Sequence, residues 1–125
     1  MDPVRWAKIS AVILGLAVVL GAFGAHALKQ TLDQKMLEVY HTANFYHFIH
    51  GLALLLVCAM VKTEMLATDS GSIVGGLLIA GLFLFSGSLY LLAISGVKIL
   101  GAITPLGGLC FIAAWAMLAI KLGKS

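Results

Sequence analysis

Histidines are the residues of this chain whose type and spacing could support chemistry. His47 and His50 are three residues apart, so on a helix they occupy neighbouring positions of one face. His26 lies in an earlier apolar run and could approach them from a second helix. Imidazole nitrogens bind metals and haem iron, and they also titrate near neutral pH. The histidines are therefore compatible with a metal or haem site, with a proton relay, or with hydrogen bonding among other polar groups.

The polar groups that could complete such a site lie near one end of each long apolar run. The runs are 6–28, 45–61, 73–95 and 100–120. If all four cross a membrane, the ends of the first and third share a side with the starts of the second and fourth. Polar groups in lipid are costly unless they are paired, so a ligand pocket or a hydrogen-bonded lock is expected in that leaflet. The candidate ligand-binding residues are His26, Tyr46, His50, Ser86, Ser88, Tyr90 and Thr104, with His47 in the same cluster; His26 and His50 are the candidate metal ligands.

Composition indicates the elements that position these residues. The chain is 62% hydrophobic and 10% charged over 125 residues, and a spanning helix needs about 20 mostly apolar residues. We therefore expect an all-α membrane protein with one domain, 1–125, built as a four-transmembrane-helix bundle. The stretch 9–25 is longer than the roughly 7–15-residue core of a secretory signal, so it is predicted to be the first helix.

The connection 29–44 is too long and too patterned for a bare loop. Its apolar residues recur at helical spacing, which predicts a short amphipathic helix in the headgroup region. Thr31 with Gln34 fits a capping box at the start of that helix. Aromatic residues near the ends of the runs are assigned to the two interfacial belts: Tyr40, Phe45 and Tyr46 on one side, Trp6 and Trp115 on the other.

The net charge of +3 comes from basic residues dispersed at the ends of the runs, which indicates contact with lipid headgroups and not with nucleic acid. Five basic residues fall on the side of the termini and three on the other. This difference favours termini in the cytoplasm, which places the polar cluster in the outer leaflet. The five are Arg5, Lys8, Lys62, Lys121 and Lys124; the three are Lys29, Lys35 and Lys98.

Small residues at four-residue spacing predict close helix packing. In lipid, such residues let helix backbones approach one another. The same surfaces make a homo-oligomer an open alternative. Pro105 is expected near the start of the last helix, where a missing N–H is tolerated. The ladders are Ala17, Gly21 and Ala25 on the first helix and Gly76 with Ala80 on the third.

Several function classes are disfavoured. No Asp or Glu lies within any apolar run, which argues against a proton-coupled drug exporter. No carbonyl filter, charged ring, nucleotide loop or nucleophile elbow is evident. Cys58 and Cys110 show no metal or redox spacing. We therefore expect a protein without enzymatic activity, and the sequence does not specify a cofactor.

The chain resembles the YgdD/YwdK-type family of small bacterial inner-membrane proteins, which includes eukaryotic transmembrane protein 256. The resemblance rests on LGAFGAH at 20–26, on Tyr46 and His50, on FSGSLY at 85–90, on TPLGG at 104–108 and on AWA at 114–116. It implies a four-helix protein of the bacterial plasma membrane and no known activity. His47 lies outside these motifs, which favours His26 with His50 over His47 with His50.

Two hypotheses follow from these observations. The first is a non-enzymatic membrane protein whose polar pocket binds a small or lipid-like ligand or a partner. The alternative is a metal- or haem-binding redox protein that uses His26 and His50 as ligands.

Overall fold

The computed structural model describes residues 1–123, and Lys124, counted above among the basic residues of the terminal side, lies outside them. Four helical spans cross back and forth, and the described residues contain no strand. The predicted all-α, four-span architecture is therefore confirmed. The helices are α1 (Pro3–His26), α2 (Gln34–Lys62), α3 (Thr68–Gly81), α4 (Ser88–Ser95) and α5 (Leu100–Lys121). A π-helical segment, Leu82–Gly87, joins α3 to α4, so that Thr68–Ser95 forms one continuous third span.

Local sequence signals account for the helix ends. The Asp2 carboxylate accepts hydrogen bonds from the backbone N–H groups of Val4 and Arg5, and Pro3 begins α1. Asp33 caps α2 by accepting from Met36 at 2.8 Å. Gly96 ends α4 in a left-handed conformation with φ of 71°, which glycine adopts without steric cost.

The connection between α1 and α2 differs from the prediction. Residues 34–44 are not a separate interfacial helix but the first turns of α2, and only a short 3-10 turn, Leu28–Gln30, precedes them. The capping residue is Asp33 and not Thr31. No proline interrupts the chain between 34 and 62, so a single helix continues from the headgroup region into the bundle.

Helix α2 is the centre of the molecule. It packs against α1 on one side and against the third span on the other, while α5 packs against the third span. Helix α1 packs mainly on α2 and so lies at the edge of the bundle. Trp6 packs over Gly75 of α3 and is partly buried against the hydrophobic core.

Close backbone approach occurs at some of the predicted small residues. Gly21 faces Asn44 of α2 as expected, and Ala17 is fully buried. Ala25 is exposed and Gly76 faces open space, so neither is a packing point. On α3 the glycines in close contact are instead Gly71, Gly75 and Gly81, because their faces point toward Val61, Trp6 and Phe111 respectively.

The π-helical segment packs directly on α5. A side chain on Gly107 would overlap the backbone of Leu84 and Phe85, so the two helices are in backbone contact there. Pro105 lies inside α5, one turn after its start at Leu100. The TPLGG motif therefore provides the surface of α5 on which the FSGSLY motif is seated.

Candidate functional site

A ladder of polar side chains joins α1 to α2. On α2, the Tyr40 hydroxyl donates to the carbonyl of Leu20, and the Asn44 amide donates to the carbonyl of Ala17 at 2.9 Å. These α2 positions recur at helical spacing and therefore share one face. The acceptors are backbone carbonyls already bonded within α1, which can take a second hydrogen bond because each has two lone pairs.

Two further contacts extend the ladder in antiparallel register. His47 Nε2 lies 2.8 Å from the carbonyl of Ile13, and the Ser10 hydroxyl donates to the carbonyl of Gly51 at 2.7 Å. Residue numbers therefore rise along α2 as those of their partners fall along α1, as expected for two antiparallel helices. Because unpaired polar groups are expensive in lipid, this ladder sets the register of the two helices.

Tyr90 connects the ladder to the third span. Its hydroxyl lies 3.0 Å from the Asn44 amide nitrogen, which donates to it, and 2.9 Å from His47 Nδ1. The carbonyl of Ile13 can only accept, so in the neutral imidazole the proton of His47 is on Nε2. Nδ1 then accepts from the Tyr90 hydroxyl, so both ring nitrogens of His47 have a partner.

The network lies near the middle of the bundle and not in one leaflet. Its acceptors Ile13 and Ala17 flank the midpoint of α1 (Pro3–His26). For this network the structure differs from the one-sided arrangement expected from the sequence, whereas Ser88 and Thr104 do lie toward the same end of their spans. The reason is that α2 begins at Gln34, about three turns before the apolar run 45–61. Residues at the start of that run are therefore near the middle of the helix.

His50 belongs to a second, separate cluster. Its Nδ1 lies 2.9 Å from the carbonyl of Tyr46, so Nδ1 carries the proton and Nε2 accepts from the indole N–H of Trp115 at 3.1 Å. The imidazole stacks on Phe111 with ring centroids 3.6 Å apart, and the ring of Tyr46 lies parallel to the imidazole at 5.7 Å and 6.3 Å from Phe111. His50 therefore links α2 to α5 through aromatic packing and one hydrogen bond.

Ser88 and Thr104 link α4 to α5. Their hydroxyl oxygens are 2.6 Å apart, and Ser88 also lies 2.7 Å from the carbonyl of Leu84 in the π-helical segment. A π-helical turn leaves carbonyl groups without the usual helical partner, and such turns occur often at functional sites. The Ser88 hydroxyl is also 2.9 Å from the carbonyl of Phe85, so it connects the π-helical segment to Thr104 of α5.

A groove lies between α1 and the third span, and His47 of α2 is at its base; we call it the central groove. It has a volume of about 210 Å³. Within residues 1–123, the buried Ser86 hydroxyl oxygen has no hydrogen-bond partner, and Ser86 lines this groove beside Tyr90. The walls are apolar and include Ile13, Leu16, Leu20, Ile79, Leu82 and Phe83.

The structure does not bring His26 and His50 together. Ser10 of α1 is level with Gly51, and His26 is sixteen residues further along α1, roughly 24 Å at 1.5 Å per residue. His26 is exposed, and both nitrogens of His50 are engaged. Among the described residues, no group of three or more His, Cys, Asp or Glu could hold a metal ion. The geometry gives no support to a joint site of these two histidines.

Several members of the site were not identified from the sequence. Asn44 and Ser10 each bond a carbonyl of the facing helix, and Tyr40 and Trp115 were assigned to interfacial belts. Tyr40 is 0% exposed. The available signal was the spacing of Tyr40, Asn44 and His47, which places them on one face of a continuous helix. The prediction assigned 29–44 and 45–61 to two separate helices, so this shared face was not recognised.

Comparison with known proteins assigns the chain to a family. A family model described as a protein of unknown function, DUF423, matches residues 20–108. That range contains Tyr40, Asn44, His47, Tyr90 and Gly107, but neither Ser10 nor Trp115. No solved structure is significantly similar to the chain.

Curated relatives are similar over most of their length. The UPF0382 membrane protein YwdK of Bacillus subtilis is 47% identical over 109 residues, which is 87% of this chain and 88% of the relative. The UPF0382 membrane protein SSP2132 of Staphylococcus saprophyticus is 46% identical, with 84% and 85% covered. The UPF0382 membrane protein SH2409 of Staphylococcus haemolyticus is 44% identical, with 87% of each chain covered. The names of these relatives state a membrane location and no activity.

Proposed function

Because the chain belongs to the DUF423 family of membrane proteins of unknown function, we propose a function from the geometry of its own residues. The protein binds a small lipid-like ligand in the central groove and has no enzymatic activity. It resides in the plasma membrane with its termini in the cytoplasm. Surface pairing with a second copy is compatible with this function and not required for it.

The buried Ser86 hydroxyl is the observation that carries the proposal. An unpaired polar group in a low-dielectric site costs about 1–3 kcal/mol, and Ser86 is 2% exposed with no partner among the described residues. A ligand with a hydroxyl or carbonyl group would provide the missing hydrogen bond. His47 and Tyr90 are already paired, so their contribution is to hold the base of the groove in place.

The shape of the central groove limits the ligand. Its volume is about 210 Å³, and its lining is aliphatic apart from His47, Phe83, Ser86 and Tyr90. A single acyl chain or a small ring with one polar group fits this description. A complete phospholipid with two chains does not.

The first test compares Ser86→Ala with Ser88→Ala in detergent-purified protein. The probe is a photoactivatable single-chain fatty alcohol, and labelled residues are located by mass spectrometry. We expect labelling of Leu82, Phe83 or Leu16 in the unmodified protein and at least a fivefold loss in Ser86→Ala. Stability of Ser86→Ala is expected to be unchanged or slightly higher, because no hydrogen bond is lost.

Ser88→Ala is the matched control, since it removes a hydroxyl two residues away that does have partners. It should lower stability and leave labelling of the central groove intact. Equal labelling of the unmodified protein and Ser86→Ala, or labelling spread evenly over the lipid-facing surface, would contradict a ligand site in this groove.

A further inference from the structure

A second groove lies at the end of the bundle where the described chain begins and ends; we call it the terminal groove. It has a volume of about 270 Å³ and shares no lining residue with the central groove. Pro3, Val4 and Ala7 of α1 form one wall. Leu55, Ala59 and Lys62 of α2 form the other. The groove therefore runs from the interior of the membrane toward its surface between two antiparallel helices.

The polar end of the terminal groove is at the membrane surface. Lys62 is the last residue of α2, and the chain then turns through 63–67 before α3 begins. The backbone N–H of Gly123 donates to the carbonyl of Met65 at 3.0 Å, so the end of the described chain meets the same turn. A charged group at this level is in contact with lipid headgroups and water.

One lysine lines the terminal groove and a second is next to its α1 wall. Lys62 lines it directly, and Lys8 is four residues after Val4, so Lys8 occupies the same face of α1 one turn further into the bundle. Both side chains are exposed. The Asp2 carboxylate at this end is engaged in capping α1. Long basic side chains keep their ammonium groups near the headgroups while their stems cover apolar surface.

We propose that the terminal groove binds an anionic phospholipid. One acyl chain lies along Val4, Ala7, Leu55 and Ala59, and the phosphate lies at the surface end of the groove, where the ammonium groups of Lys62 and of Lys8, whose side chain extends toward the surface, contact it. The charge of the two lysines selects an anionic headgroup, and the apolar walls select a lipid over a free phosphate ion. This site is independent of the proposed function of the central groove.

The test is native mass spectrometry of the detergent-purified protein titrated with phosphatidylglycerol or with phosphatidylcholine of the same acyl chains. A basic residue near a membrane surface contributes about 1 kcal/mol to binding of anionic lipid, or about fivefold in affinity. We expect Lys62→Gln and Lys8→Gln each to weaken phosphatidylglycerol binding about fivefold. Phosphatidylcholine binding should not change in either variant.

Two matched controls distinguish binding in the terminal groove from nonspecific effects of surface charge and surface hydrophobicity. Lys35→Gln makes the same charge change at the opposite end of α2 and should leave phosphatidylglycerol binding unchanged. Ala59→Leu fills the terminal groove and should weaken both lipids, whereas Ala116→Leu, on the exposed face of α5, should weaken neither.

The proposal is overturned if Lys35→Gln weakens phosphatidylglycerol binding as much as Lys62→Gln, or if the two lysine variants of the groove bind it like the unmodified protein. All the substituted side chains are exposed, so each variant is expected to fold. Thermal unfolding of each variant verifies this. Ser86→Ala should bind both phospholipids normally, so failure of the central-groove function would not alter this result.

Discussion

The hydroxyl of Tyr90 lies 2.9 Å from Nδ1 of His47, and this contact joins three helical spans at the middle of the bundle. Tyr90 is on the third span, His47 is on α2, and the other nitrogen of His47 bonds to the Ile13 carbonyl of α1. Helix α1 packs mainly on α2. His47 and Asn44 therefore each connect α1 through α2 to Tyr90 of the third span.

Substitution of His47 should destabilise the protein much more than substitution of His26. His47→Phe removes two hydrogen bonds and leaves the Tyr90 hydroxyl without its acceptor, so we expect a loss of about 1–3 kcal/mol in the free energy of unfolding. His26→Phe changes an exposed position and should alter stability by less than about 0.5 kcal/mol. Unfolding by sodium dodecyl sulfate titration in mixed micelles measures both. Similar stabilities of the two variants would argue against a structural role for the network.

Gly24→Ala should weaken the contact between α1 and α2. A Cβ at this position would overlap the ring of Tyr40, which is fully buried, and overpacking of this kind costs about 1–3 kcal/mol. Gly15→Ala is the control because no described atom lies within 4 Å of the Cβ it would add. That variant should be neutral or more stable by up to about 1 kcal/mol, since alanine favours helix. The same mixed-micelle titration distinguishes the two outcomes.

Adjacent glycines on α5 should differ sharply in their tolerance of substitution. Gly107→Ala places a Cβ in the backbone of Leu84 and Phe85, which has no side-chain freedom to move aside. We expect a loss of at least about 2 kcal/mol or failure to accumulate as folded protein. Gly108→Ala meets the Phe85 ring at 3.8 Å, an ordinary contact, and should change stability by less than about 0.5 kcal/mol. Folded yield and thermal unfolding provide the comparison, and equal tolerance would show that the π-helical segment does not seat on Gly107.

The hydrogen bond between Trp115 and His50 should be measurable as a coupling energy. Trp115→Phe removes the indole donor and should cost about 1 kcal/mol, because Nε2 of His50 is left unpaired. A double-mutant cycle with His50→Phe should give a coupling of about 0.5–1.7 kcal/mol, the range seen for hydrogen bonds between membrane helices. The matched cycle of Trp6→Phe with His50→Phe should give a coupling near zero, since Trp6 packs against α3. A coupling near zero in the first cycle as well would contradict this contact.

Much of the fold could be predicted from residue types and lengths, whereas the membership of the site could be predicted only in part. Tyr90, Ser86, Ser88, Thr104 and His50 were identified because polar residues in long apolar runs are conspicuous. Asn44 was missed because its importance depends on a backbone carbonyl of α1, which carries no signal in the sequence. His26 was included because it shares a run end with the others, but it is on the exposed surface.

The sequence by itself determined four spans, their approximate ends and the presence of polar groups within them, because the thickness of a bilayer and the cost of unpaired polar groups act on every such chain in the same way. Only the tertiary structure decided which polar groups meet. The register of α1 against α2 pairs His47 with Ile13 and separates His26 from His50. The packing of the third span leaves the Ser86 hydroxyl as the one buried side-chain oxygen or nitrogen without a partner among residues 1–123. That register depends on close approach at Gly21 and Gly24 and on hydrogen bonds to backbone carbonyls, which are properties of two helices in contact and of neither alone.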